Sequence, residues 1–253
     1  MSIAEPTITV ITVCYNSAAT IAETLRSVAS QTWRAIEHIV IDGGSTDGTQ
    51  ALVHRHGRPG IVLVSESDDG IYDAMNKGLR LASGDWVGFL NADDVLADPC
   101  VLTEMVVSAQ KTKADIVYGD LEYVVRANAQ RVIRRWQSGV FIPAQLRRGW
   151  MPPHPTFYVR RFLVQRIGGF DPRFRIAADY DFMLRYLSAP DVKVVYLPRL
   201  MVQMKTGGVS GNGSLRAILQ RNFESYKVLR KNRLGGLGAL IWKNARKLPQ
   251  LFR

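Results

Sequence analysis

The chain has 253 residues, 47% hydrophobic and 22% charged, with a formal net charge of +11. That length accommodates one α/β domain with a full core plus a short appendage, and the ordinary composition argues against a disordered or repetitive protein. No segment reaches the roughly 18 consecutive apolar residues of a membrane-spanning helix. Cys14 and Cys100 lack metal or redox spacing, so both are expected to be buried small hydrophobes of a reducing compartment.

Residues 1–6 lack the basic start and apolar core of a secretory signal, which predicts a cytoplasmic protein. From there apolar runs and helical patterns alternate. Strands are expected at residues 8–13, 36–41, 61–64 and 86–90, and helices at 18–29, 49–56 and 71–82. This β-α alternation predicts a mostly parallel sheet flanked by helices, with a ligand crevice beyond the carboxyl ends of its strands. Polar clusters fall at those ends: Tyr15-Asn16-Ser17, Asp42 to Gly48, Glu66 to Gly70, and Asn91-Ala92-Asp93-Asp94. A helix is expected over 101–112, short strands over 116–118, 121–125, 131–136 and 157–159, a helix over 180–187 starting near Asp179, and a strand over 192–197. The body is expected to run to about residue 210.

The apolar run ending in Asn91-Ala92-Asp93-Asp94 reads in two ways. It is a buried strand ending in a cation site, or a polar turn whose Asp93 or Asp94 caps the helix that follows Pro99. Asp179 reads as the cap of the helix over 180–187, and Asp47 with Thr46 as a cap of the second helix. A turn of Cys14-Tyr15-Asn16-Ser17 after the first strand carries no Gly-x-Gly-x-x-Gly, and no Walker-type Gly-Lys-Ser/Thr motif occurs anywhere. Dinucleotide binding and phosphoryl transfer by the P-loop route are therefore disfavoured. Carboxylates at the strand ends can instead hold Mg²⁺ or Mn²⁺ against a diphosphate.

The ordered set Ile11 to Ser17, Ile41 to Thr49, Asp69 to Gly78, Asn91 to Asp94, His154-Pro155-Thr156-Phe157 and Ala177 to Phe182 resembles family 2 glycosyltransferases of the GT-A fold, over roughly residues 7–210. The likeness is strongest to the bacterial branch that builds polysaccharides and glycolipids. It implies a single GT-A domain with a Rossmann-like nucleotide-binding half, a nucleoside-diphosphate sugar donor, usually a uridine one, and inversion at the anomeric carbon. It implies that Asp42 contacts the base, that Tyr15 and Asn16 wall the nucleotide, and that Asn91 meets the ribose. Asp93 would ligate Mn²⁺ or Mg²⁺, Asp94 would assist it or bond the sugar, and Asp179 would be the general base. Asp73, Asn76 and Lys77 open a helix facing the crevice, where Lys77 could meet a phosphate. His154 and Asp181 are candidates on the acceptor side, and Gly207-Gly208-Val209-Ser210 reads as a lid. Asn91 stands where the family often has Asp, and Ala178 where Glu is frequent.

Residues 205–253 hold 11 of the 33 Lys and Arg residues but only one acid, Glu224. Interleaved apolar residues, Trp242, Leu248 and Phe252 among them, make residues 211–253 one or two basic amphipathic helices divided at Gly235-Gly236. Such a tail is a solvated helix pair on the body or an attachment to an anionic membrane, bringing the site to a glycan or lipid-linked acceptor. A sugar nucleotidyltransferase would carry a Gly-rich basic phosphate loop after its first strand, which is absent. Nucleic-acid binding is not expected, because it leaves Asp42, Asp93 and Asp179 without a role.

Overall fold

The computed structural model describes residues 5–126, 128–205 and 215–245. The lid at 207–210, and Leu248 and Phe252, lie outside those residues. Nine strands form one sheet: β1 (Ile8–Cys14), β2 (Ile36–Asp42), β3 (Val62–Ser65), β4 (Trp86–Phe89), β5 (Asp94–Leu96), β6 (Ile116–Val125), β7 (Asn128–Trp136), β8 (Tyr158–Arg160) and β9 (Val194–Lys205). The order is β3-β2-β1-β4-β8-β6-β9-β5, with β7 paired to β6 alone. Strands β3, β2, β1 and β4 are mutually parallel, as the alternation requires; beyond β4 the sheet is mixed, with β8 antiparallel to both β4 and β6.

The helices are α1 (Ile21–Ala29), α2 (Thr49–His56), α3 (Ile71–Leu81), α4 (Val101–Thr112), α5 (Arg161–Ile167), α6 (Ala178–Leu187), α7 (Leu215–Lys231) and α8 (Leu237–Ala245). All seven residues of β1 are buried, which explains their unbroken apolar and β-branched character in a strand covered on both faces. Alternate residues divide between two cores. Ile11, Val13, Ile39, Ile41, Val87 and Phe89 pack with α3 and α6, whereas Ile8, Val10, Trp86 and Leu90 pack with α4. Gly78 lets α3 lie directly on β1, since a Cβ there would sit 2.5 Å from Ile11 Cγ2.

Several expectations shift. Residues 116–125 make one strand instead of two, and β9 runs on to Lys205 because Pro198 falls at a register shift opposite Gly119 that interrupts the apolar pattern without ending the strand. Strand β5 and helix α5 were not foreseen. Cys14 is buried, but Cys100 is exposed at the N-cap of α4. Helices α7 and α8 form on either side of Gly235-Gly236, and their Val228, Leu229 and Ala239 belong to the same core as α3 and α6.

Candidate active site

The carboxyl ends of β1 to β4 open on one side of the sheet, and their loops are tied together by side chains. Asn16, held at φ 46°, accepts a hydrogen bond from Thr46 N through Oδ1 (3.0 Å), while its own N–H donates to Ser45 Oγ (2.7 Å). Asp47 accepts from Ala18 N (2.9 Å) and from Thr49 Oγ1 (2.6 Å) and N (3.1 Å), so it braces both loops from one residue before the N-cap, Gly48. Asp42 is fully buried and accepts from Ser45 N (3.0 Å), Ser45 Oγ, Ser65 Oγ (2.6 Å), Gln50 Nε2 (3.2 Å) and the Cys14 thiol (3.6 Å). Burial opposes its ionisation, but the hydrogen bonds from Ser45 and Ser65 hold its carboxyl below the ordinary value. Burial, reinforced by Asp42, pushes the Cys14 thiol well up, so it stays a donor. A carboxylate offers about four lone-pair sites, and those of Asp42 are already engaged.

Above this layer Tyr15 is 65% exposed. A Cβ on Gly43 would lie 2.6 Å from Asp68 Oδ2 and 3.4 Å from Tyr15 Cδ2, so the glycine floors a slot between a phenol ring and a carboxylate. Asp68 Oδ1 accepts from Gly70 N (2.9 Å). At α3 the expected ligands are occupied. Lys77 pairs with Glu66 (2.8 Å) and donates to Ser67 O (2.7 Å), and Asp73 accepts from Asp69 N (3.3 Å). Asn76 bonds Phe170 through both ends of its amide (2.9 and 2.8 Å), which pins the segment before α6.

At the end of β4, Asp94 N donates to Asn91 O (3.0 Å), closing a turn over residues 91–94, after which Asp94 enters β5 opposite Met204. Neither acid caps α4; Asp98 Oδ1 accepts from Cys100 N (2.7 Å) instead. Asp94 is fully buried, with Asn91 Nδ2 3.3 Å from its Oδ2. Asp94 Oδ1 and Asn91 Oδ1 are buried with no hydrogen-bond partner. Burial, then the neighbouring charge of Asp93, pushes the Asp94 carboxyl well above its ordinary value, and burial raises Asp93 as well. Arg126 Nη2 stands 3.7 Å from Asp93 Oδ2. Among the described residues no three His, Cys, Asp or Glu side chains converge as a closed metal site. Two carboxylates and an amide oxygen with orphaned acceptors fit a hard divalent cation whose remaining ligands come from a bound diphosphate.

Across the cleft, α6 is buried on nearly every side, and Asp179 in its first turn is only partly covered. Asp179 Oδ1 accepts from Tyr180 N (2.7 Å); Tyr72 Oη, which donates its proton to Ile176 O (2.9 Å), lies 3.3 Å from the same Oδ1, and Oδ2 has no partner among the described residues. The loop before it is fixed from α7: Glu224 Oε2 accepts from Ile176 N (2.8 Å) and Ala177 N (3.0 Å). His154 is buried against the Phe89 ring (5.1 Å between centroids), flanked by Phe170 and Phe182, and its Nε2 has no partner. Burial holds the imidazole below its ordinary value, and Asp179 opposes that only in part. Burial raises the hydroxyl of Tyr123 on β6, Arg134 opposes, and the fields of Asp94 and Asp179 both add.

The family model for glycosyl transferase family 2 matches residues 9–176, which is more than half of the chain. The chain belongs to glycosyltransferase family 2. A PGL/p-HBAD biosynthesis glycosyltransferase of Mycobacterium tuberculosis is 31% identical over 223 residues, covering 86% of this chain and 84% of the relative. An uncharacterized glycosyltransferase of the same species is 32% identical over 260 residues, covering 94% and 96%. Among solved structures, S. aureus TarS 1-349 in complex with UDP-GlcNAc superposes with a TM-score of 0.69 at 21% identity, over 89% of this chain and 65% of that one. The mannosyltransferase PcManGT from Pyrobaculum calidifontis, solved with GDP-Man and Mn²⁺, superposes at 0.68 and 21%, over 98% and 73%. The shared fold is GT-A.

In this glycosyltransferase, Tyr15, Asn16 and Asp42 gather at the ends of β1 and β2, and Asn91, Asp93 and Asp94 at the end of β4. Asp42 is held by its loop donors Ser45, Ser65 and Gln50. Asp73, Asn76 and Lys77 are bonded within the protein. One expectation is corrected. Asp181 is fully buried between Arg185 (2.8 Å), Lys231 (2.9 Å) and Asn232 (2.9 Å), where it joins α6 to α7 instead of facing an acceptor. Asp68, Tyr72, Tyr123 and Glu224 went unforeseen. Asp68 lay in the polar cluster Glu66 to Gly70 and Tyr72 in the motif Asp69 to Gly78, and Glu224 stood out as the single acid of a basic segment.

Proposed function

We propose that the enzyme transfers a sugar, with inversion, from a nucleoside-diphosphate donor, a UDP-sugar foremost, to a hydroxyl of a glycan or lipid-linked acceptor. The observation that carries this reading is Asp179 itself, a carboxylate with one engaged oxygen and one without a partner among the described residues. The donor class is that with which TarS and the Pyrobaculum mannosyltransferase were solved.

Asp179 Oδ2 takes the proton of the acceptor hydroxyl as that oxygen bonds to the anomeric carbon. The bond from this carbon to the diphosphate oxygen breaks, and the nucleoside diphosphate leaves with the electron pair. The Tyr180 N–H holds Oδ1 beside the Tyr72 hydroxyl, which aims Oδ2. Asp93 and Asp94, with Asn91, would hold Mg²⁺ or Mn²⁺, which neutralises charge on the departing diphosphate. Tyr15 covers the base over Gly43, Asp68 Oδ2 accepts from it, and Asp42 keeps the floor of the slot rigid. His154 lines the acceptor side.

The matching location is the cytoplasmic side of a membrane, with residues 211–253 toward an anionic surface; among the described residues no helix is long and apolar enough to cross one. The test is Asp179→Asn. Nucleotide-sugar binding in the presence of Mn²⁺ persists and transfer is lost; near-normal turnover would overturn the assignment of the base.

A further inference from the structure

A second polar site lies away from the cleft, where the turn Pro143–Arg148 meets the end of α7 and the start of α8. A cavity of about 410 Å³ is lined there by Arg147, Arg230, Arg233, Leu234 and Gly235. A second, of about 430 Å³, adjoins it through Arg147 and adds Ile142 and Arg148. Among the described residues none of these four arginines has an ion-pair partner, whereas Arg185, Arg199, Lys205 and Lys231 are all matched by acids. The sequence explains the difference. Residues 123–170 contain nine arginines and no acid, and residues 225–253 contain no acid either. Two acid-free segments have been folded against each other, so the cluster's charge is left uncompensated by the protein.

The same two segments expose apolar side chains. Val140 is 71% exposed and Ile142 48%; on α8, Leu237 and Ile241, one turn apart on the same face, are 67% and 68% exposed, with Trp242 at 56%. The segments are locked together at Gly149, where a Cβ would lie 2.6 Å from Ala239 O. Arginines around a cavity call for a phosphate. A soluble phosphate gives no account of exposed leucine, isoleucine and tryptophan beside it, and a membrane interface does.

We propose that this composite surface docks the enzyme on an anionic phospholipid membrane, the arginine cavity holding a lipid phosphate while Ile142, Leu237, Ile241 and Trp242 enter the interface. It rests on the glycosyltransferase reading only for its purpose, which is to bring a lipid-linked acceptor to Asp179, because α7 carries both Arg230 and the Glu224 that braces the Asp179 loop. It also relocates the attachment expected of the tail alone to a face shared with the body.

Removing residues beyond 210 does not test this, since Val228, Leu229 and Glu224 support the core and the cleft. The test uses the full chain and co-sedimentation with vesicles of phosphatidylcholine alone or mixed with phosphatidylglycerol. The wild type is expected to bind only the anionic vesicles. Combined Arg147→Gln, Arg230→Gln and Arg233→Gln weakens that binding on the order of 100-fold, at about one fifth of the affinity for each charge removed. Combined Arg55→Gln, Arg80→Gln and Lys111→Gln, which alters net charge equally at exposed positions elsewhere, leaves it within about twofold. Ile241→Ser with Trp242→Ser weakens it as well. Should the triple arginine variant melt early, Arg230→Gln alone, about fivefold weaker, decides the matter. Failure of the wild type to bind, or equal losses in the two charge-matched variants, would each overturn the proposal. Stabilisation of the same variants by UDP with Mn²⁺ reports on donor binding separately, so loss of one reading is not mistaken for loss of the other.

Discussion

On the donor side of the cleft the polar groups at the ends of β1, β2 and β3 are satisfied by one another, with Asp42 accepting from Ser45, Ser65 and Gln50, and Asn16 and Asp47 tying the first two loops together. On the acceptor side few polar groups stand in an apolar and aromatic wall, and oxygen or nitrogen atoms are left over: Asp179 Oδ2, His154 Nε2 and, at the junction, Asp94 Oδ1 and Asn91 Oδ1. A satisfied network is rigid and recognises shape; an unsatisfied buried atom carries a desolvation cost that a ligand or reacting group can relieve. Binding is therefore expected to be spread thinly over the donor side, whereas chemistry rests on single atoms across from it.

Substitution of Asp179 presses hardest on that contrast. A positioned base contributes about 10²- to 10⁴-fold, and Asp179→Asn is expected to lower kcat by that range with donor KM nearly unchanged. A parallel loss of donor affinity, measured by nucleotide titration, would show that the two sides are not separable. Asp93→Ala comes next. It removes the proposed metal ligand and is expected to weaken Mn²⁺-dependent donor binding by about 100-fold, of the order seen when support of a metal site is lost, with metal-independent UDP binding little changed.

How much of this was legible in the sequence follows from the same division. Strands β1, β2 and β4 and helices α2 and α4 were readable because a strand covered on both faces needs continuous apolar residues and each helix has its own period, whereas the edge strand β3 showed only a short apolar run. The carboxylates at strand ends could be located for the same reason. What a carboxylate does once located depends on residues distant in the chain. Asp42 and Asp181 are as acidic as Asp179 in the sequence, yet Ser65 occupies the first and Lys231 and Asn232 the second. Strand β5 was hidden because three residues beginning with an acid carry no period, and β9 because Pro198 masked its continuation.

Acid stability sharpens the account of the donor side as a rigid body. His38 on β2 is buried, hydrogen-bonded through Nε2 to Thr12 Oγ1 (3.0 Å), and its pKa is pushed down to about 3, by burial first and Arg58 second. Because the folded chain resists protonation that the unfolded chain accepts below about 6.5, stability is full above that value and falls as the pH drops toward 3. The loss amounts to roughly 2 kcal/mol between pH 6.5 and 5. His38→Asn is expected to flatten the melting temperature over that interval, measured without ligand. An unchanged slope would place the acid sensitivity elsewhere. A smaller effect, about tenfold in kcat, is expected of Glu224→Gln, which keeps the shape but removes the charge from the bonds to Ile176 N and Ala177 N. Donor KM should not move, since Glu224 positions only the acceptor wall.

The mildest substitution bears most directly on how the donor side binds. If recognition there comes from the shape of the slot over Gly43, then Tyr15, exposed and held in place by its neighbours, contributes mainly the face of its ring. Stacking of this kind is worth about 0.5–1.5 kcal/mol, so Tyr15→Ala should raise the dissociation constant for UDP some two- to tenfold by calorimetry, with kcat at saturation preserved. Gly43→Ala should act in the same direction, because its Cβ would meet Asp68 Oδ2 at 2.6 Å and force that side chain away from the slot. Paired with Tyr15→Ala it should add less than its own effect, both changes having damaged one cavity. Full additivity would instead mean that ring and carboxylate hold the nucleotide at separate points, and the satisfied network beneath them would then be a scaffold for two contacts instead of one shaped surface.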